Sequence, residues 1–270
     1  MTDIERTVPG VVVMRLDGRG PLNLLGRGSF LALSAELDRV HKDPSARVVI
    51  LTGSGGRAFS AGVDLHEMKD LDADGAKTFI TALHGPARKL LTMAVPAIAA
   101  IRGPCLGGAL ELALACDIRI AAEGAVLGLP EVRVGIPSVI EASLLPPTIG
   151  LGRARRLLLT GDTVDASEAL GMGLVDRIVP AASLMQEAHA TANAFLGMSR
   201  EVVASQKEIV AKWLELGEEA SAASAPASRK LSSVGALPTS ESAAAVATMG
   251  VGPTAASASM ADSMRSPAAF

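Results

Sequence analysis

The residues of this sequence best suited to chemistry are two glutamates near a pair of glycines. Gly107 and Gly108 precede an apolar stretch that contains Glu111, and Glu131 follows a second apolar segment. Glycines at a helix start let a ligand approach free backbone N–H groups, where the helix end favours developing negative charge. Carboxyl groups in apolar surroundings suit acid/base catalysis, because burial raises their pKa toward neutrality. The pattern predicts an anion site with proton transfer.

From the residues alone, a structural explanation of each glutamate stays open. Glu111 could pair within its own helix, and Glu131 could simply belong to the turn that follows Pro130. The other candidate is the loop around Gly62, where small residues permit close approach of the backbone to a ligand, although an ordinary turn has the same composition.

Alternating strands and helices must position these residues. β-Branched and apolar runs predict strands, and helical spacing with Ser29 as N-cap predicts the first helix. Strands are predicted at Val11 to Leu16, Val48 to Thr52, Val95 to Ile101 and Ile118 to Ala122, and helices at residues 29–40 and 76–93. The strands lack polar alternation, which indicates an α/β fold with a sheet covered on both faces.

The second half of the chain is predicted to be mainly helical. Asp165 begins a capping-box-like sequence before one of these helices. Helices are predicted from 153 to 159, 166 to 172, 184 to 195 and 201 to 216, with a short strand from Leu174 to Val179. We expect a core at residues 1–195, a helical module at 196–220 and an Ala/Ser-rich segment at 221–270. This last segment is either weakly ordered or docked on a partner subunit.

Composition limits the class of protein. The chain has 270 residues, is 49% hydrophobic and carries a net charge of −3. A substantial core is therefore expected, and nucleic acid is not expected as a partner. Cys105 and Cys116 show no metal-binding spacing and are expected to be buried thiols. Without a signal-peptide pattern or a membrane-length apolar run, we expect a soluble cytoplasmic protein that does not bind membranes.

Several motifs together resemble the crotonase, or enoyl-CoA hydratase/isomerase, superfamily. They are Pro21-Leu22-Asn23, the loop from Ala58 to Leu65, the segment from Gly103 to Asp117, LGLPEVRVGIP from Leu127, and LTGDTVDASEALGMGLVDRIV from Leu159. The resemblance covers about residues 10–216. It implies a crotonase-like spiral of repeated ββα units with a C-terminal helical region. It also implies an acyl-coenzyme A thioester substrate and a homotrimer or dimer of trimers.

The resemblance also assigns roles to residues. It implies an oxyanion hole formed by the backbone N–H groups of Val63 and Gly108. Glu111 would orient and deprotonate water for attack at Cβ, and Glu131 would deliver a proton to Cα. Further substrate-binding positions are implied at Ala61, Gly62, Asp64, Leu65, His66 and Gly107. No metal or resident cofactor is implied, since coenzyme A is part of the substrate.

The leading interpretation is an enoyl-CoA hydratase, with two alternatives. The same oxyanion hole would serve a double-bond isomerase or another lyase or dehydratase, because Glu131 alone could move a proton between carbons. A catalytically silent trimeric assembly protein is an alternative of a different class.

Two segments depart from the family pattern. Many hydratases have a glycine-rich loop where this chain has Ser138-Val139-Ile140-Glu141, which suggests an unusual acyl group. Glu141 there is either an extra acid/base or a residue favoured at a helix start. After Ser221 nothing resembles the family segment that holds the coenzyme's adenine and 3′-phosphate.

Overall fold

The computed structural model describes residues 3–6, 8–69 and 71–222, with only the backbone of Ala73 and of residues 213–222. The expected Ala/Ser-rich segment lies outside the described residues from position 223 onward, and the predicted domain boundaries stay a prediction.

The described residues in the first part of the chain, up to residue 114, form five strands and four helices. They are, in order, β1 (Asp3–Glu5), β2 (Val11–Leu16), α1 (Arg27–Lys42), β3 (Val48–Gly53), α2 (Leu65–Met68), α3 (Ala73–Thr92), β4 (Ala97–Ile101), β5 (Pro104–Leu106) and α4 (Gly108–Leu114). The second half is richer in helix. Its elements are β6 (Ile118–Ala122), β7 (Val126–Gly128), α5 (Leu145–Ile149), α6 (Leu151–Thr160), β8 (Thr163–Asp165), α7 (Ala166–Met172), β9 (Arg177–Val179), α8 (Leu184–Leu196) and α9 (Arg200–Ala222), with 3₁₀ turns at Pro130–Val134, Ala142–Leu144 and Ala181–Ser183.

The larger sheet has six strands in the order β1-β2-β3-β4-β6-β9. Only β1 and β2 are antiparallel, and every other neighbouring pair is parallel. Parallel neighbours need crossover connections, and α1 and α3 provide two of them. The predicted α/β class and the spiral order of its units are therefore confirmed.

Apolar residues cover both faces of this sheet, as the sequence predicted. Val49 and Leu51 belong to a core that includes residues of α1 and α3. Val48 and Ile50 point to the opposite face, where they pack in a second cluster with Leu184 and other residues of α8. Side chains alternate across a strand, so the continuous apolar run in β3 supplies both clusters.

A smaller three-stranded sheet, in the order β5-β7-β8, brings the candidate site together. Its strand β5 also pairs with the chain around Ser60. The backbone N–H of Ser60 donates to the carbonyl of Pro104 at 3.0 Å, and that of Leu106 donates to the carbonyl of Ser60 at 3.1 Å. This contact sets the Gly62 loop beside Gly107. The three-residue strands of this sheet were not predicted, because so short a run shows no periodicity.

Two local predictions are wrong and one is confirmed. Ser29 is not the N-cap of α1, which begins after Gly26; the Ser29 hydroxyl donates instead to the carbonyl of Asp17 at 2.7 Å. The strand predicted from Leu174 is shorter and begins at Arg177. Asp165 does cap α7, because its carboxylate accepts the N–H of Glu168 at 2.8 Å.

Among the described residues, no helix combines the length and apolar character that crossing a membrane requires.

Candidate active site

Asn23 fixes the loop that leads to Gly62. Its side-chain amide donates to the carbonyls of Leu16 at 3.0 Å and Phe59 at 2.7 Å, and its oxygen accepts the N–H of Gly18 at 2.6 Å. Asn23 has φ +56°, a left-handed conformation that asparagine tolerates better than most residues. The asparagine of the Pro21-Leu22-Asn23 motif therefore links the end of β2 to the loop before Gly62 through buried hydrogen bonds.

The loop at Gly62 and Val63 packs closely against β5. Gly62 has φ +103°, and a Cβ there would lie 2.8 Å from the carbonyl oxygen of Leu106. Leu25 donates to the carbonyl of Gly62 and accepts from Asp64, both at 2.9 Å. These two bonds lie on either side of Val63, and among the described residues no backbone bond uses the Val63 N–H.

The glycine pair forms the facing wall. Gly107 has φ +55°, and a Cβ there would lie 2.9 Å from Oε1 of Glu131. A Cβ on Gly108 would lie 2.8 Å from Leu83 and 3.1 Å from Val63. The N–H of Gly108 has no acceptor among the backbone bonds of the described residues either. Among the described residues, Val63 and Gly108 therefore both line the cavity with N–H groups that have no backbone acceptor.

One cavity, with a volume of about 100 Å³, unites most of the predicted site residues. Ala61, Gly62, Val63, Leu65, Gly107, Gly108, Glu111 and Glu131 all line it. Its remaining walls come from α2, α3 and the chain after Pro130, through Met68, Phe79, Ile80, Pro130, Val134, Ile136, Pro137, Ser138, Val139 and Ile140. The lining is mostly apolar, so the two carboxyl groups lie in a poorly hydrated space.

Asp64 and His66 lie beside the loop and do not line this cavity. The Asp64 carboxylate binds the Arg19 guanidinium at 2.6 Å and accepts the N–H of His66 at 3.0 Å, which caps α2. Burial opposes ionisation of Asp64, but the hydrogen bond and charge of Arg19 lower its pKa below the usual value. Arg19 also lies 2.8 Å from Nδ1 of His66. The substrate contacts predicted for Asp64 and His66 stay predictions.

Glu111 is buried in α4, with only 2% of its surface exposed. Burial, followed by the charge of Glu131, raises the pKa of Glu111 to about 7. The N–H of Glu141 donates to its Oε1 at 3.1 Å and limits this rise by stabilising the carboxylate. Near neutral pH, Glu111 therefore exchanges a proton readily.

Glu131 lies in the 3₁₀ turn that begins at Pro130. Burial raises its pKa, while the hydroxyl of Ser138, which donates to Oε2 at 3.0 Å, partly offsets the rise. The charge of Glu131 raises the pKa of Glu111, so an ionised Glu131 disfavours ionisation of Glu111. One carboxyl can hold a proton while the other is ionised, which is the arrangement that combined acid and base catalysis needs.

Sequence reasoning missed the contributions of Ser138 and α3. Phe79 and Ile80 lie on the cavity wall, and Leu83 packs against Gly108. The four-residue spacing of Phe79 and Leu83 could have indicated a buried face of this helix, but not what that face covers. The described residues contain no group of three or more His, Cys, Asp or Glu side chains that could hold a metal ion.

Comparisons with known proteins identify the family of this chain. The family model described as enoyl-CoA hydratase/isomerase matches residues 6–234. The probable enoyl-CoA hydratase echA8 of Mycobacterium tuberculosis is 38% identical over 206 residues, which are 76% of this chain and 79% of that protein.

Solved structures share the fold. The enoyl-CoA hydratase from Bacillus anthracis superimposes with a TM-score of 0.75 at 35% identity, covering 77% of this chain and 81% of that one. A monofunctional enoyl CoA isomerase from M. smegmatis gives a TM-score of 0.68 at 33% identity, covering 79% of this chain and 93% of that one. The chain belongs to the enoyl-CoA hydratase/isomerase family of the crotonase superfamily.

Proposed function

We propose that this protein is an enoyl-CoA hydratase that adds water across the 2,3 double bond of an enoyl-CoA thioester. The observation that carries the proposal is the shared cavity in which Glu111 and Glu131 meet the free N–H groups of Val63 and Gly108. Addition of water to a conjugated thioester needs a base, an acid and a site for the negative oxygen, and this cavity holds a candidate for each.

The two N–H groups act on the thioester oxygen. As water attacks Cβ, the double-bond electrons move toward that oxygen, and an enolate-like species forms. Donors that are already in place stabilise this charge, and one such donor is typically worth about 10²–10³ in rate. Because the donors are main-chain atoms, the side chain of Val63 is less important than the absence of one at Gly108.

The two glutamates complete the proton transfers. Ionised Glu111 takes a proton from water as the water oxygen bonds to Cβ, and protonated Glu131 gives its proton to Cα. General acid or base catalysis contributes about 10²–10⁴ for each such group. Proton exchange between the pair and solvent then restores the starting protonation, so the cycle consumes only water and the enoyl thioester.

The proposed substrate carries a short acyl group. Phe79, Ile80 and Ile140 line the cavity, and α3 and the segment around Ile140 leave it little volume. The proposal requires no resident metal or cofactor, since coenzyme A enters as part of the substrate. It includes the homotrimer or dimer of trimers that the resemblance implies.

A double-bond isomerase is the second candidate. It is favoured by the position of Glu131 against the glycine turn, where one carboxyl group next to the oxyanion site could remove and return a proton. The similar M. smegmatis isomerase shares the fold. A silent assembly protein would not require two buried carboxyl groups beside unused N–H donors.

Turnover of purified protein with a panel of 2-enoyl- and 3-enoyl-CoA thioesters tests the proposal. Products are identified by NMR in D₂O, with a preparation carrying both Glu111→Gln and Glu131→Gln as the control. Hydration of a short 2-enoyl-CoA, absent from the control, is expected. Double-bond migration that outruns hydration would replace the proposal with the isomerase, and no turnover of any thioester would contradict both.

A further inference from the structure

A third carboxyl group lies behind Glu111. Glu141 follows Ile140, which lines the cavity, but Glu141 itself is not part of the lining. It is buried, with 6% of its surface exposed, and occupies the position before the 3₁₀ turn Ala142–Leu144 without capping it through its side chain. Its position at a helix start is therefore observed, but the capping role is not.

The side chain of Glu141 points to α3. Its Oε1 lies 2.6 Å from Nδ1 of His84, whose own side chain is half exposed. A buried carboxylate is costly unless it is paired. The contact therefore ties the segment after Ser138 to α3, the helix that also supplies Phe79 and Leu83 to the site.

The backbone of Glu141 makes a second, independent contact. Its N–H donates to Oε1 of Glu111 at 3.1 Å, and the N–H of Ile140 also stabilises the Glu111 carboxylate. Glu141 thus contacts α3 through its side chain and binds the Glu111 carboxyl group, on α4, through its main chain. Displacement of the side chain would move the donor that orients Glu111.

We propose that Glu141 is a positioning residue of the reaction. This proposal rests on the proposed function of Glu111. His84 holds its carboxylate so that its backbone N–H keeps Glu111 oriented toward the cavity. Glu141 touches no reacting atom in this scheme, and it acts only through Glu111.

The contacts of Glu141 with Glu111 add a signature that a purely structural residue would lack. Burial and Glu131 raise the pKa of Glu111 most, the N–H of Glu141 lowers it, and the charge of Glu141 raises it by less than the N–H lowers it. The titratable groups near Glu141 are Glu111 on α4, Glu131 beyond Glu111, and His84 on α3, and Arg88 follows His84 by one turn of α3. Displacement of the N–H donor, in a variant of Glu141 or of His84, should therefore raise the pKa of Glu111.

The test compares Glu141→Gln, His84→Ala and His84→Gln, with Glu123→Gln and His41→Ala as controls at exposed positions. The pKa of Glu111 is followed in full-length protein by ¹³C-carboxyl NMR, and the signal is assigned by its loss in Glu111→Gln. This measurement needs no turnover. The pH profile of kcat and the value of KM for a short 2-enoyl-CoA are measured in parallel, and near-UV circular dichroism checks the fold.

We expect Glu141→Gln and His84→Ala both to raise the pKa of Glu111, because each displaces the N–H donor of Glu141, with both controls unchanged. Small displacements of a catalytic group are costly, so kcat should fall about 10- to 100-fold in Glu141→Gln while KM changes little. His84→Gln, which keeps a hydrogen-bonding side chain at this position, should retain more of kcat than His84→Ala.

Folded variants with an unchanged pKa of Glu111 and unchanged kcat would overturn the positioning role. A raised pKa of Glu111 in both variants of a protein that turns over no thioester would uphold the contact and overturn the proposed function instead. If Glu141→Gln does not fold, the pKa of Glu111 and the kcat of His84→Ala test the positioning role instead. His84 is half exposed, so its loss leaves the core intact.

Discussion

Replacement of Glu111 by Gln should make the protein more stable at pH 8 and not at pH 5. Glu111 has a pKa of about 7 in the folded protein against a usual value of 4.5. The folded state therefore binds the proton more tightly than the unfolded state does. The resulting stability is complete below pH 4.5, declines as the pH rises through this window and is lost above about 7. A neutral glutamine escapes this loss.

The shift sets the size of the effect. The difference between 4.5 and about 7 corresponds to roughly 3 kcal/mol of unfolding free energy. Glutamine presents only one oxygen to the N–H groups of Glu141 and Ile140, and a weakened buried hydrogen bond costs about 1 kcal/mol. We therefore expect a gain of about 1–3 kcal/mol at pH 8. At pH 5 little gain or a small loss is expected.

Urea unfolding of the wild type and of Glu111→Gln at intervals between pH 5 and 8 measures this difference. Glu123→Gln, at an exposed turn position, serves as the control for the loss of one ordinary carboxyl group. A stability difference between Glu111→Gln and the wild type that is constant with pH would refute the argument. Such a result would mean that Glu111 has the same pKa in the folded and the unfolded state.

Three further substitutions probe other parts of the site. Gly108→Val should lower kcat about 100-fold with a smaller change in KM, because its side chain collides with Leu83 and displaces a donor that acts mainly in the transition state; a raised KM at unchanged kcat would contradict this. Ser138→Ala should raise the pKa of Glu131 and move one limb of the pH–kcat profile upward, and an unmoved profile would count against the contact. Asn23→Ala should destabilise the protein by about 2–3 kcal/mol in urea unfolding, through its lost buried hydrogen bonds; a loss below 1 kcal/mol would show that other contacts hold this loop.

The sequence predicted the central sheet well for a physical reason. Strands such as β3 and β4 are long, apolar and bounded by turn residues, so their type and burial follow from local pattern. The glycine pair and Glu111 were also visible, because helix starts and buried carboxyl groups have local signatures. The match of motifs then indicated which distant segments meet.

Other features depend on contacts between distant residues. Ser29 looked like an N-cap, but its hydroxyl bonds to Asp17 and α1 begins earlier. Strand β5 is short and exists because its partners align it. The contact between Glu141 and His84 joins residues 57 positions apart, and no spacing rule indicates it.

Hydration rates of the glutamate variants test the central claim most directly. The wild type, Glu111→Gln, Glu131→Gln and the double variant are assayed with a four-carbon 2-enoyl-CoA by the loss of its conjugated absorbance, after circular dichroism confirms the fold. Each single change should lower kcat by about 10²–10⁴, and the double variant should be little worse than either, because the two groups act as a unit. Folded single variants that both hydrate at near wild-type rates would contradict the account.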